Sequence, residues 1–193
     1  MSISKKPILI ILNGVPCAGK STLMKNFQML SEEPYFSLGM DMFFEHVLPR
    51  KWFARGKAEG ILSREFEGPQ GTEMEMTYGP VGQDLITIMH KSISAALHNG
   101  NNVILDHILF DPAWHGQLNE LAKDFDPIWV KVTLPFDELV RREAIRKRAP
   151  ISYARHYYVR VHEGVAYDLE IDTQELTPQE AAQKLFDFVA STK

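Results

Sequence analysis

The run Pro7-Ile8-Leu9-Ile10-Ile11-Leu12-Asn13-Gly14-Val15-Pro16-Cys17-Ala18-Gly19-Lys20-Ser21-Thr22 decides how the rest of the chain is read. Pro7 to Leu12 is a continuous apolar run ending at Asn13-Gly14, the pattern of a strand buried on both faces of a parallel sheet. Gly14 to Ser21 then matches G-x-x-x-x-G-K-[ST], the Walker A phosphate loop, at every fixed position. From Ser21 to Leu30, Leu23, Met24, Phe27 and Leu30 recur at helical spacing. Strand, loop and helix in that order are what phosphate binding requires, because the unpaired N–H groups and the dipole at a helix N-terminus both favour negative charge. Gly14 and Gly19 let the backbone turn and approach closely. Lys20 would reach the β- and γ-phosphates, the Ser21 hydroxyl would ligate Mg²⁺, and Thr22 would lie near the α-phosphate. The expected nucleotide-binding set is thus Gly14, Val15, Pro16, Cys17, Ala18, Gly19, Lys20, Ser21 and Thr22, with ATP and Mg²⁺ as cofactors. Cys17 reads as a small side chain tolerated where backbone makes the contacts, although a thiol so near a helix N-terminus can be activated.

Working outward, apolar runs alternate with helical patterns. Tyr35–Leu38, Val103–Leu105 and Ile128–Leu134 read as strands. Gln83–His98, Phe136–Arg148 and Ile151–Val161 read as helices. Tyr167–Asp172 alternates apolar and acidic residues as an edge or late strand would. Thr177-Pro178-Gln179-Glu180 carries an N-cap, a proline at the first helical position and a capping-box acid. Asp111-Pro112 reads as a turn-initiating pair. The alternation predicts a three-layer α/β fold with a mainly parallel sheet, whose ligands sit at the carboxyl ends of the strands, and with the phosphate loop added it resembles the nucleoside-kinase-like P-loop NTPase fold.

The chain has 193 residues, 45% of them hydrophobic and 24% charged, which suits one domain spanning 1–193. A net charge of −4 offers no bulk attraction for nucleic acid. The single cysteine excludes an internal disulfide. The run after the two N-terminal lysines is too short for a signal-peptide core, and no stretch approaches the ~20 apolar residues of a membrane span. A cytoplasmic protein acting on a small molecule, with no nucleic-acid or membrane partner and room for a homo-oligomer, is the expectation.

Residues 49 to 82 break the alternation and hold half of the 12 glycines. Within them, Ile61–Glu67 and Glu73–Tyr78 flank Gly68-Pro69-Gln70-Gly71 as a hairpin-like insertion would. The segment is a surface excursion or a cap over the ligand cleft. Its carboxylates Glu65, Glu67, Glu73 and Glu75 weigh against an anionic acceptor.

Phosphoryl transfer to a hydroxyl needs a carboxylate near the acceptor oxygen. Asp41, just past the second strand, is the candidate base, with a helix N-cap as the plainer alternative. Asp106, closing Val103-Ile104-Leu105-Asp106, is placed for the Mg²⁺ shell or the substrate, or simply caps the strand end. No histidine pair has metal-ligand spacing, and His107 is the one histidine that merits a test. On the predicted helix 136 to 148, Phe136, Leu139, Val140 and Ala144 form an apolar stripe, so Arg142 and Arg146 project together from another face. They are either a solvated face, with Glu138 and Glu143 pairing Arg142 and Lys147, or the arginines of a lid over about 136–150 that stabilise the transferring phosphoryl group.

The chain resembles the chloramphenicol phosphotransferase family, P-loop kinases that move the γ-phosphate of ATP to a hydroxyl of the antibiotic. The likeness rests on Ile11-Leu12-Asn13-Gly14 with Ala18-Gly19-Lys20-Ser21, on Leu38-Gly39-Met40-Asp41, and on Val103-Ile104-Leu105-Asp106. Its most specific stretch is Val161-His162-Glu163-Gly164-Val165-Ala166-Tyr167-Asp168-Leu169-Glu170-Ile171-Asp172-Thr173. The resemblance implies Asp41 as catalytic base, Lys20 and Ser21 as phosphate and Mg²⁺ contacts, and Arg142 and Arg146 as an Arg-Glu-x-x-Arg lid motif. The chain departs from the family pattern at His107, where a second acid is expected, at Lys147-Arg148 in place of Gly-Asp, and at Phe43-Phe44 and Glu73-Met74-Glu75-Met76. The acceptor is open between chloramphenicol and another hydroxyl compound. A nucleoside or nucleotide-sugar kinase of the zeta-toxin type and a nucleotide-binding regulator without catalysis are the competing readings.

Overall fold

The computed structural model describes residues 6–53, 57–69, 71–146 and 152–192. Parts of the expected insertion (54–56 and Gln70), of the lid (Lys147, Arg148 and their neighbours) and the start of the helix expected at Ile151 lie outside the described residues.

Five parallel strands form the central sheet: β1 (Leu9–Asn13), β2 (Tyr35–Gly39), β5 (Asn102–His107), β6 (Ile128–Thr133) and β7 (Leu169–Asp172), in the order β2-β5-β1-β6-β7. Every residue of β1 is buried, as its uninterrupted apolar run requires of a strand covered on both faces. β7 lies at the sheet edge and buries Ile171 between less buried neighbours, which explains its alternation. The helices are α1 (Lys20–Leu30), α2 (Met40–Met42), α3 (Pro80–His98), α4 (Pro112–Ala122), α5 (Phe136–Arg146), α6 (Tyr153–Tyr157) and α7 (Pro178–Ser191). α1 packs on α7, with Phe27 against Phe186 at 6.4 Å, and α3 packs on α4. α7 begins with the expected capping box, Thr177 and Glu180 each bonding the other's backbone N–H.

β1 leads through α1 to β2 on one side, whereas β5 leads through α4 to β6 on the other, so the connections reverse direction at β1. A crevice opens outside the strand ends at such a reversal. The phosphate loop leaves β1 at that point. In β1 and β5, Leu12 stands opposite Asp106, and in β2 Gly39 stands opposite the same residue. The register therefore brings Asp106 beside the loop. β5 lies between β1 and β2, so Asp41, just after β2, faces the loop across Asp106.

An antiparallel hairpin, β3 (Ile61–Gly68) and β4 (Gly71–Tyr78), stands apart from the main sheet where a hairpin was expected. Its root packs Tyr78 on Trp114 of α4 at 4.7 Å. Its β4 strand rests on α6, where the Tyr157 hydroxyl accepts a bond from the Met76 N–H at 3.0 Å.

Four expectations are corrected. Asp111-Pro112 starts a helix: Asp111 caps α4 by accepting from the Ala113 N–H at 2.9 Å, and Trp114, Leu118 and Ala122 bury its inner face. The helix expected over 151–161 is two pieces, α6 and a 3₁₀ turn, Arg160–His162. Tyr157 reaches to β4 while Tyr158 donates to Leu134 O at 2.7 Å, and these opposed anchors interrupt a continuous helix. Asp41 is no N-cap; Gly39 holds that position and Asp41 lies in the first turn, which runs on into a π-helical turn, Phe43–Val47. On α5 Ala144 is exposed, and the buried groups are Leu139 and Glu143.

Candidate active site

The phosphate loop is shaped by close approach and by strained backbone. A Cβ on Gly14 would lie 2.2 Å from the Val132 carbonyl oxygen, so only glycine fits. Gly19 takes φ 95° and Cys17 φ 65°, and turns of this hand point successive N–H groups to one side. Lys20 is buried; its Nζ donates to the carbonyls of Gly14 (2.7 Å) and Val15 (2.9 Å) and lies 3.4 Å from Asp106 Oδ1. The Ser21 hydroxyl donates to Asp106 Oδ2 at 2.7 Å. A hydroxyl and a carboxylate side by side are hard oxygen donors, as Mg²⁺ prefers. Among the described residues no group of three or more His, Cys, Asp or Glu forms a metal cage, so a cation here would rely on these two oxygens together with phosphate and water.

Pro16, Cys17, Gly19, Lys20, Ser21 and Thr22 line a cleft of about 1760 Å³; Asp41, Asp106, Arg142 and Arg146 line it too. Of the predicted nucleotide contacts, Gly14, Val15 and Ala18 are buried and do not line the cleft. The volume exceeds the roughly 300–1,000 Å³ of a single-ligand pocket, leaving room for two reactants side by side.

Asp41 is 72% exposed within this cleft. Its pKa is nonetheless raised, first by the desolvating cleft walls and then by the charge of Asp106, with Lys20 and Arg146 pulling the other way. Solvent touches the carboxylate, but the surrounding walls displace the bulk water that would stabilise its charge. A carboxylate held less acidic than usual beside a cationic group is suited to taking a proton.

The two arginines have different surroundings. Arg146 spans the site: one Nη is 3.6 Å from Cys17 Sγ in the loop and the other 4.0 Å from Asp41. Arg142 is tied down, donating to Glu138 (2.7 Å), to Thr173 Oγ1 (2.9 Å) and to Thr173 O (2.8 Å). Hydrogen bonds from Arg141 and Arg142 hold the Glu138 carboxyl down to about 2. The expected pairing of Glu138 with Arg142 is therefore present. Glu143 instead points inward, accepting from Ser152 N (2.8 Å), Ala154 N (3.3 Å) and Arg155 Nε (2.9 Å).

The stretch from Val161 to Thr173 braces the loop. Thr173 Oγ1 donates to Ala18 O at 2.9 Å while receiving Arg142, linking the loop to α5. Asn13, fully buried, donates to Val161 O and Tyr167 Oη, both at 2.7 Å, and accepts from Leu109 N at 2.9 Å. Thr173 and Asn13 had no role assigned from the sequence, and Glu143 was expected only as a surface partner of Lys147. Thr173 had a visible signal, as the last residue of the stretch most specific to the resembled family.

His107 is buried behind Asp106. Its Nδ1 accepts from Ile108 N (2.8 Å), so its Nε2–H donates to His90 Nε2 (2.9 Å), whose Nδ1–H donates to Gln117 Oε1 (2.6 Å). Burial, then the His90 and Lys20 charges, keep its pKa well below the usual histidine value. It is a neutral packing group with no face on the cleft.

The hairpin acids are not where an acidic cap would put them. Glu73 is buried against His156 at 2.9 Å, Glu75 pairs with Arg64 at 3.1 Å, Glu67 accepts from Thr72 at 3.0 Å, and Glu65 is exposed. None of the four lines the cleft; Met76 does, together with Arg50, Lys51, Phe53 and Lys57.

A profile of the chloramphenicol phosphotransferase-like protein family matches residues 8–190. A Mycobacterium tuberculosis protein provisionally named an O-phosphotransferase is 29% identical over 184 residues, 93% of this chain and 80% of its own. Among solved structures, a sugar kinase from Janibacter sp. HTCC2649 aligns with a TM-score of 0.68 at 13% identity over 95% of each chain. The Mycobacterium tuberculosis APS kinase aligns at 0.63 and 12% identity, over 96% of this chain and 98% of its own. At these identities the two structures bear on the fold alone. Among the described residues no helix is long and apolar enough to cross a membrane.

Proposed function

The chain belongs to the chloramphenicol phosphotransferase-like family, and from that premise we propose that it transfers the γ-phosphate of ATP to a hydroxyl of a small molecule. The observation that carries this reading is Arg146 standing between Cys17 of the phosphate loop and the Asp41 carboxylate, with Asp106 beside Lys20 and Ser21. A protein that only bound nucleotide would have no use for a carboxylate of raised pKa held across the cleft from its phosphate loop.

In this mechanism the loop N–H groups hold the phosphates, and Lys20 swings from the Gly14 and Val15 carbonyls to the β- and γ-phosphates. The Ser21 hydroxyl and the Asp106 carboxylate would hold Mg²⁺, whose chemistry there would be neutralisation of phosphate charge. Asp41 orients the acceptor hydroxyl and takes its proton as the oxygen attacks the γ-phosphorus. The bond to the bridging oxygen breaks and ADP leaves. Arg146 meets the charge of the transferring group, and Arg142, fixed by Glu138 and Thr173, supports it from the loop side. Of the described residues, 49–53, 57–69 and 71–82 would cap the acceptor and 136–146 would form the lid.

Asp41→Asn tests the assignment. It should lower transfer by about 10²- to 10⁴-fold, the usual worth of a general base, and leave the ATP dissociation constant unchanged. Normal turnover in this variant would remove Asp41 from the mechanism. Lys20→Ala should weaken nucleotide binding itself.

A further inference from the structure

The cleft wall carries cations that the donor does not need. Arg50 and Lys51 come from the 3₁₀ turn Arg50–Trp52, and Lys57 follows; all three are exposed and line the cleft. Lys57 Nζ sits 4.4 Å from the centre of the Trp52 ring and Lys51 Nζ 5.9 Å, so one indole holds both lysines near its faces. The other lysine and arginine groups of the lining are engaged: Lys20 with Asp106, Arg142 with Glu138 and Thr173, Arg146 with Cys17 and Asp41. The buried acid of the lining, Glu143, is matched by Arg155. Among the described residues this leaves Arg50, Lys51 and Lys57 facing one remaining acid of the lining, Glu45, in a chain whose net charge is −4.

Their place in the fold assigns them to the acceptor half. They lie on the segment that leaves the Asp41 turn, and Phe53 folds back to pack on Phe44 of that turn at 5.9 Å. The phosphate loop and the two arginines of α5 reach the cleft from other elements. The acids that argued against a charged acceptor are turned away from the cleft, so the local sign is the reverse of the one the sequence implied.

We infer that the acceptor is an anion: a hydroxyl compound that also bears a phosphate or carboxylate group, seated on Arg50, Lys51 and Lys57 with its hydroxyl at Asp41. This rests on the kinase reading above. Charge-assisted contacts of this kind give about tenfold in binding for each cation. The same contacts give a neutral acceptor nothing.

Two measurements test it and separate its failure from that of the kinase reading. In the first, ATP-dependent phosphorylation is measured on a neutral sugar, its aldonate and its phosphate ester, a nucleoside with its monophosphate, and chloramphenicol. An anionic member should have the higher kcat/KM of its series, and which one does so distinguishes carboxylate from phosphate. Lys51→Met with Lys57→Met should cut that value about 100-fold through KM while leaving the ATP dissociation constant unaltered. Turnover of neutral acceptors as efficient as of their anionic partners would overturn the inference and leave the kinase standing. In the second, protein saturated with Mg²⁺ and a non-hydrolysable ATP analogue is titrated with inorganic phosphate while tryptophan emission is followed. Phosphate should alter the emission of Trp52, and the change should vanish in Trp52→Phe and in the double lysine variant. A phosphate response with no acceptor turned over would refute the kinase and retain the anion seat. No response in the wild-type protein would refute the seat.

Discussion

Thr173→Val removes one hydroxyl and keeps the shape, which makes it a sharp test of how the phosphate loop is held. The hydroxyl donates to Ala18 O inside the loop and accepts from Arg142 Nη1, both at 2.9 Å; the Arg142 bond to the Thr173 carbonyl survives the change. A neutral hydrogen bond contributes about 1 kcal/mol and one to a guanidinium about 1.5 to 3 kcal/mol. Thr173 is half-buried, so water replaces part of the loss and a net cost of about 1.5 kcal/mol is the working figure. The Ala18 bond orders the loop that receives phosphate, so this cost should appear as an ATP dissociation constant raised about tenfold. Calorimetric titration with ATP and Mg²⁺ reads it directly. Thr173→Ser keeps the hydroxyl and should bind like the parent. If Val leaves affinity and turnover unchanged, the brace is incidental to binding; if Ser is as damaging as Val, the lost methyl and not the hydrogen bonds explains the effect.

The raised pKa of Asp41 predicts where activity fails in acid. A base must be ionised, so kcat/KM rises with pH through its pKa, and that limb should lie above the ordinary aspartate value of about 3.9. Arg146 opposes the rise, so Arg146→Gln should move the limb to still higher pH in a pH–rate profile, besides lowering kcat. A limb that stays put would show that Asp41 is not the group being titrated. Glu143→Gln should cost about 2 kcal/mol by weakening a largely buried pair with Arg155, a fall in melting temperature of about 6 °C measurable by calorimetry. Chelation of Mg²⁺ by EDTA should abolish transfer and weaken ATP binding, with both restored on adding Mg²⁺ back; turnover unaffected by chelation would exclude the Ser21 and Asp106 assignment.

The core of the fold was legible because its signals are local. β1, the loop and α1 lie within residues 9–30, and each declares itself by periodicity or motif. α7 was legible to the level of its cap for the same reason. α4 was missed although Trp114, Leu118 and Ala122 are spaced for one helix face, because Asp-Pro marks a turn and a helix start equally well. The acids were the harder problem. Glu73 read as one of the insertion acids weighing against an anionic acceptor and Glu143 as a surface partner of Lys147, yet both are buried, because His156 and Arg155 meet them from α6. No spacing rule reports a partner supplied by a different element. None of the four hairpin acids lines the cleft, and α6 accounts for Glu73 alone, since Glu75 and Glu67 find their partners within the hairpin.

The Arg-Glu-x-x-Arg segment of α5 draws these contacts into one device. Arg142 is bound to Thr173 and through it to Ala18 in the phosphate loop. Its neighbour Glu143 points elsewhere and fastens α6, which carries the hairpin strand β4 on Tyr157. Arg146, one turn further on, is left exposed enough to sit between the loop and Asp41. Consecutive and one-turn spacings thus send three side chains of one helix to three places: the phosphate loop, the wall that carries the hairpin, and the gap between the loop and Asp41. A change on the acceptor side that moved β4 would pull on α6 and hence on Glu143, and so would shift Arg146 relative to the phosphate it is placed to meet. Glu143→Gln should therefore affect kcat as well as melting temperature. A variant with the lower melting temperature but an unchanged kcat, assayed well below that temperature, would show that the tether stabilises the fold without aligning Arg146.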